Sequence, residues 1–229
     1  MTQTDDAEDK TCPKIFRLNM RSRITSLLEK VRVARGRLIF ALDATASRQP
    51  TWDTAVQLQS EMFAEAGKNG GLEVQLVYYR GLDKFQASHW TSDTRELANT
   101  MSRITCVSGH TQIAKVLAHI RKEHAQQAVS AVVFVGDMCE DTPYALYDAA
   151  TGLGVPVFIF QEGDDAHAAE VFKQIAKLTN GAYSRFSPGA ARELAELLRA
   201  VATFAVGGLT ALADLRSEGA RKLLGQMKN

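Results

Sequence analysis

The chain has 229 residues, 45% hydrophobic and 23% charged, ordinary values for a globular protein with one α/β domain or one domain with helical extensions. Its 27 basic and 26 acidic residues leave a formal net charge of +1, which removes any electrostatic reason to expect nucleic acid or an anionic membrane as partner. Three cysteines, Cys12, Cys106 and Cys139, form neither a CxxC nor a Cys/His pairing, so neither a disulfide framework nor a zinc site is expected. The first ten residues are acidic where a secretory leader is basic. No stretch approaches the roughly 18 to 20 apolar residues of a membrane span, so a soluble, cytoplasmic protein is expected.

In chain order, residues 1–18 read as a disordered polar tail. Ile24, Leu27, Leu28 and Val31 repeat at i, i+3, i+4, i+7 and predict a helix over 19–35, with a basic C-terminal end and a stop at Gly36. Residues 38–42 are wholly apolar, the mark of a central strand covered on both faces. Ala55, Leu58 and Met62, flanked by Val56 and Phe63, predict a helix that closes at Gly67 and Asn69-Gly70-Gly71. A strand over 72–79 follows, then a turn at Arg80-Gly81-Leu82-Asp83 and a short antiparallel edge strand over 84–88. Ser92 or Asp93 is placed to cap a helix ending near Met101, and Ile113, Val116, Leu117 and Ile120 stripe another. Residues 131–135 and 155–160 are further apolar strands, separated by a helix over 143–153 that opens on Pro143. Ala168, Val171, Phe172 and Ile175 mark the next helix, 182–186 a last strand, and Leu194, Leu197, Leu198 and Val201 a last core helix. Gly207-Gly208 then breaks the chain before a leucine-bearing tail over 209–227. This alternation predicts an α/β fold, Rossmann-like, with a mostly parallel central sheet, one antiparallel edge strand and helices on both faces. The pattern leaves the strand order open.

Ligands of open α/β sheets bind beyond the carboxyl ends of the strands. The 38–42 strand runs into Asp43, and the 131–135 strand into Gly136-Asp137. If the two strands are neighbours, the carboxylates repel, and a bound cation relieves the repulsion. Asp43, Thr45 and Ser47 alternate with Ala44 and Ala46, so an extended segment points their oxygens one way and the alanines toward the packed side. Carboxylates with hydroxyls make a hard-oxygen set suited to Mg²⁺ or Mn²⁺.

Asp43-Ala44-Thr45-Ala46-Ser47 resembles the Asp-x-Ser-x-Ser loop of the metal-ion-dependent adhesion site in von Willebrand factor A (vWA) domains. Thr111, in Ser108-Gly109-His110-Thr111, matches the threonine of that family's later loop, and Asp137 matches the aspartate after its fourth strand. The resemblance covers residues 36–202, leaving 203–229 as a C-terminal helical extension. Two departures stand out: Thr45 replaces serine and adds a methyl group, and Gly136-Asp137 replaces the family's usual Thr-Asp-Gly. The resemblance implies a vWA fold of bacterial cytoplasmic type and a binding module rather than an enzyme. On it, Mg²⁺ or Mn²⁺ is held by Ser47 and by Thr45 or Thr111, with Asp43 and Asp137 binding directly or through water. The cation would take a glutamate or aspartate from a protein partner, in the setting of an ATPase or chaperone machine, with Arg48, His110 and Glu140 on the ligand rim.

The rival reading is a Mg²⁺-dependent haloacid dehalogenase-type phosphotransferase, with Asp43 as nucleophile, Lys115 or Lys122 steadying the charge, and Gly136-Asp137-Met138-Cys139-Glu140-Asp141 as its last metal motif. Against it, Asp43 lacks a second aspartate two residues on, the helix over 52–66 leaves little room for a flap, and Thr111 has no role. Dinucleotide, P-loop and nucleophile-elbow motifs are absent from the sequence. Plainer roles stand beside these: caps for Thr45, Ser47 and Thr111, a local backbone contact for Asp137, and a solvated charge pair for Glu140 and Asp141. Cys106 and Cys139 read as inert apolar fillers, and His119 and His124 are wrongly spaced for a helical metal pair.

Overall fold

Every residue from Gly36 to Asp43 is buried, as a strand covered on both faces must be, and this strand (β1) forms the middle of the sheet. The computed structural model describes residues 35–67, 71–187 and 190–227. The expected tail, Cys12 and nearly all of the expected 19–35 helix lie outside these residues.

After β1 come a 3-10 turn (Ala46–Arg48), α1 (Gln49–Gly67), β2 (Leu72–Arg80), β3 (Lys84–Ala87), α2 (Thr94–Ser102) and α3 (Ile113–Gln126). Then follow β4 (Ala131–Gly136), α4 (Pro143–Ala150), β5 (Val157–Glu162), α5 (Ala166–Leu178), β6 (Ala182–Phe186), α6 (Ala191–Asp214) and α7 (Glu218–Met227). The described strands form one sheet in the order β3-β2-β1-β4-β5-β6. All pairings are parallel except β2 with the edge strand β3, as the pattern predicts. The chain winds outward from β1 through β2 to β3, then returns to place β4 on the other side of β1. The order therefore reverses between β1 and β4, the position at which open α/β sheets form a crevice.

Alternate side chains of each strand feed two cores. Leu38, Phe40, Leu42, Val133, Phe158 and Phe160 face α1, α2, α6 and α7; Ile39, Ala41, Val132, Phe134 and Ile159 face α3, α4 and α5. Each large side chain so buried contributes about 1.5–3 kcal/mol relative to exposure. Asp93 caps α2, accepting from Arg95 N at 2.7 Å and Glu96 N at 3.4 Å, and Trp52 anchors α1 to it by donating to the Met101 carbonyl at 3.1 Å.

Three expectations shift. β5 spans Val157–Glu162 rather than 155–160, because Gly154 takes a positive φ of 76° and Pro156 has no N–H to give. Gly208 does break the helical geometry, with φ 65°, yet α6 resumes beyond it to Asp214. Finally, α6 is 24 residues long with a mean hydropathy of 1.4 over its most apolar stretch, enough by length and composition alone to cross a membrane. Its hydropathy is spread over many alanines and interrupted by charged residues, so it holds no unbroken apolar run of the expected length. Half of that stretch is buried inside the domain, where Leu194, Leu197, Leu198 and Val201 pack against α1 and β1. Among the tail leucines, Leu212 and Leu223 are buried against the same core and Leu209 is 49% exposed.

Candidate metal centre

The β1–β4 pairing sets Leu42 opposite Val135, which brings Asp43 level with Gly136 and beside Asp137. Gly136 suits this crowding: a Cβ there would stand 3.0 Å from the Phe134 ring and 3.8 Å from the Asp43 Cβ. Beyond β1 the loop stays extended at Thr45 and then curls into the 3-10 turn, closed by Arg48 N donating to the Thr45 carbonyl at 2.9 Å. The expected alternation is therefore only half realised. Ala44 is buried, whereas Ala46 is exposed because the turn rotates it outward. The hydroxyls of Thr45 and Ser47 nevertheless approach to 3.5 Å, and Ser47 Oγ donates to Asp137 Oδ2 at 3.1 Å.

Asp43, Thr45, Ser47, Thr111, Asp137 and Glu140 all line one open cleft of about 250 Å³. Larger grooves of about 580 Å³ along α6 and α7 and about 640 Å³ along α5 are lined by surface helix side chains. Neither of these contains a buried unpaired polar atom; the cleft does. Asp43 is 3% exposed, and its Oδ1 accepts from Thr45 N at 2.8 Å, but its Oδ2 is buried without a hydrogen-bond partner. Burial, aided by the nearby Asp137 charge, pushes the Asp43 carboxyl up to about 6, against the opposing pull of the Thr45 hydrogen bonds and of the facing Tyr79 hydroxyl, which approaches without forming a well-aligned bond. Tyr79, opposite Asp43 on β2, also keeps its hydroxyl buried without a well-formed bond; burial first, and the Asp43 charge second, raise its phenol well above the ordinary value.

The second wall is built by loops that touch through backbone. Gly81 N donates to the Val107 carbonyl at 3.2 Å and His110 N to the Gly81 carbonyl at 3.3 Å, while a Cβ on Gly109 would sit 1.9 Å from the Gly81 oxygen. Thr111 thereby reaches the cleft, but with its hydroxyl engaged twice: it donates to Asp141 Oδ2 at 2.8 Å and accepts from Glu140 N at 2.8 Å. Glu140 is exposed and Asp141 half-buried, yet both are held by specific bonds rather than by solvent alone. Asp141 also accepts from Ile113 N at 3.0 Å and Ala114 N at 3.1 Å, capping α3 from another loop, where a carboxylate complements the helix dipole. Glu140 accepts from Thr111 N at 2.9 Å and lies 3.1 Å from His110 Nδ1; the Thr111 bond first, then His110, hold its carboxyl below the ordinary value. His110 is exposed beside the cleft, between Gly109 and Thr111, which line it.

Arg48 is not a rim residue. It is 5% exposed, with Nη1 3.2 Å from Asp137 Oδ2 and Nη2 against Glu162. The guanidinium turns inward because Glu162, at the end of β5, is itself buried and requires a counter-charge. Glu162 and Tyr79 escaped the sequence reading. A signal exists for Glu162, which ends a strand as Asp43 does, but the expected strand stops at residue 160, two residues short of it. Lys115, assigned a phosphate-steadying role in the rival reading, is engaged by Asp83 and by Gln112 Oε1 at 3.1 Å. Cys139 is buried and Cys106 half-buried, and desolvation pushes both thiols up to about 11, as inert fillers require.

Among the described residues no three His, Cys, Asp or Glu side chains converge as metal ligands. A cation here would rely on two carboxylates and hydroxyls, a set that fits a hard divalent ion, and Asp43 Oδ2, buried without a well-formed hydrogen bond although Tyr79 faces it, is an acceptor such an ion could satisfy.

No family model and no curated protein matches this chain. Solved structures do. A von Willebrand factor type A protein from Catenulispora acidiphila superposes with TM-score 0.62 at 16% identity, over 76% of this chain and 43% of that one, so this chain spans less than half of its length. The SpRpn10 VWA domain aligns with TM-score 0.56 at 12% identity over 71% of this chain and 95% of its own. An aerotolerance-related membrane protein from Bacteroides fragilis gives 0.54 at 18% identity over 71% and 96%. Likeness at such identities is a likeness of fold: the described chain has the von Willebrand factor A fold.

Proposed function

We propose that this vWA-fold domain is a divalent-cation-dependent protein-binding module, and not an enzyme. The observation that carries the reading is the buried Asp43 Oδ2 without a partner, in an open cleft shared with Asp137 and the hydroxyls of Thr45 and Ser47. Asp43 and Asp137 would hold the cation, with Ser47 and Thr45 completing the set; Thr111, its hydroxyl committed to Asp141 and Glu140 N, has one lone pair left to offer. When bound, Mg²⁺ or Mn²⁺ supplies a Lewis acid that accepts an anionic oxygen from a partner's glutamate or aspartate. The two carboxylates would otherwise repel that acid, so binding depends on the ion.

The surroundings support a protein ligand. Of the five large hydrophobic residues exposed among the described residues, Leu82, Val107, Met138 and Tyr144 stand on the turn and loops that build the cleft or at the start of α4. Met138 lines the cleft itself, and Leu82 and Val107 stand next to or at the backbone contacts of its wall; apolar side chains so placed suit a protein surface that excludes water from the contact. We therefore expect the acidic residue to be flanked by apolar ones.

Calorimetric titration of Mg²⁺ and Mn²⁺ into the wild type and Asp43→Ala, with a phosphate-release assay on the same samples, tests this reading. Saturable binding lost in Asp43→Ala, without phosphate release, is the expected result. Metal-dependent phosphate release would make Asp43 a nucleophile and replace the reading; absence of any binding would end it.

A further inference from the structure

A buried arginine at a cation site is unusual enough to need a reason. Arg48 follows the hydroxyl loop directly and is 5% exposed, wedged among the ends of β1, β4 and β5. Its two terminal nitrogens serve opposite ends of one chain of charges. Nη1 lies 3.2 Å from Asp137 Oδ2, and Nη2 contacts Glu162 and donates to Thr51 Oγ1 at 2.5 Å. Thr51 in turn donates to Glu162, which is 5% exposed. Arg48 cannot swing to solvent without stranding Glu162 as a buried unpaired charge, a strongly unfavourable state. Asp137 Oδ2, meanwhile, already takes both Ser47 Oγ and the guanidinium.

We propose that Arg48 sets the affinity of the cleft for its cation: its buried guanidinium competes for Asp137, and Glu162 draws part of that charge away. The inference rests on reading the cleft as a cation site. Asp43 and Asp137 together carry two negative charges, which one divalent ion neutralises. Arg48 adds a positive charge against Asp137, and Glu162 cancels it only in part because it lies on the guanidinium's other end. The cleft therefore binds a cation more weakly than its carboxylates alone would, and gains more from the extra anionic ligand a partner brings. Arg48 is a positioning and affinity-setting residue; it does not touch the ion.

The test is calorimetric titration of Mn²⁺ into the wild type, the double variant Arg48→Met/Glu162→Gln and the single variant Glu162→Gln, with thermal melts confirming that each is folded. The double variant removes both buried charges at once, which spares the fold the cost of a lone one. It should bind Mn²⁺ about tenfold more tightly, equivalent to about 1.4 kcal/mol. Glu162→Gln, which leaves Arg48 wholly on Asp137, should bind about tenfold more weakly. A merely structural Arg48 could not produce the first result, because damage to the wall only weakens binding. Unchanged or weaker binding in the folded double variant, or unchanged or tighter binding in Glu162→Gln, overturns the proposal and leaves the cation reading intact. Binding by the double variant but not by the wild type supports it in its strongest form, with Arg48 excluding the ion. No binding by any of the three defeats the cation reading itself, and this inference with it.

Discussion

The ion-free protein should be made more stable by removing the charge of Asp43. In the folded state this carboxyl sits at about 6 against an ordinary 3.8, chiefly because burial disfavours its charged form. At 1.36 kcal/mol per pH unit, the difference amounts to about 3 kcal/mol of lost stability once the pH exceeds 6. The sign follows from proton binding: between pH 3.8 and about 6 the folded state holds the proton more tightly than the unfolded state, so stability falls as pH rises through that window. Below 3.8 the penalty vanishes. Asp43→Asn preserves the acceptor for Thr45 N and carries no charge. In chelator, its stability advantage over the wild type should therefore be about 1 kcal/mol at pH 4.5 and about 3 kcal/mol at pH 7.5. Urea melts at the two pH values measure both numbers, and at pH 7.5 the difference is worth several degrees in Tm. Saturating Mn²⁺ should then raise the wild type alone, by mass action on the folded state. An Asn variant less stable than the wild type, or a gap that does not widen with pH, would refute the argument.

Two further outcomes follow from the same geometry. Gly109→Ala forces a Cβ to within 1.9 Å of the Gly81 oxygen, so the turn at Gly81 and the loop carrying Val107 and Thr111 must part; a loss of about 2 kcal/mol or more in urea melts is expected, together with weaker Mn²⁺ binding, and a wild-type-like melt would show that turn and loop are not locked. Cys106 and Cys139, whose thiols burial raises to about 11, should react with iodoacetamide at pH 8 about a hundredfold more slowly in the folded protein than in urea, measured peptide by peptide by mass spectrometry; rates within tenfold of each other would mean that the thiols are far more open than their burial implies.

Features specified within a few residues were legible in the sequence. The apolar run ending at Leu42, the Asp93 cap of α2 and the striped faces of α3, α5 and α6 each depend on period or on a neighbour two to four positions away. The turn at Ala46–Arg48 was harder: the alternation of Asp43, Thr45 and Ser47 reads as extended, yet the backbone bond from Arg48 N to Thr45 curls it. From the sequence Asp141 reads as a solvated charge, because caps normally stand beside the helix they serve and this one reaches α3 from 27 and 28 residues away.

By itself, then, the sequence determined the elements, their buried faces and the residue types at the strand ends, since hydrophobic period and capping act locally along the chain. Tertiary structure alone decided that β1 and β4 are neighbours, which sets Ser47 against Asp137 across 90 residues and leaves Asp43 Oδ2 buried and unpaired. It also decided that Arg48 turns inward, because the strand order delivers the ends of β4 and β5 to the same place and joins Thr51 to Glu162 across 111 residues. Strand order reflects how whole faces are shared between helices and sheet, and no short window of sequence carries that information.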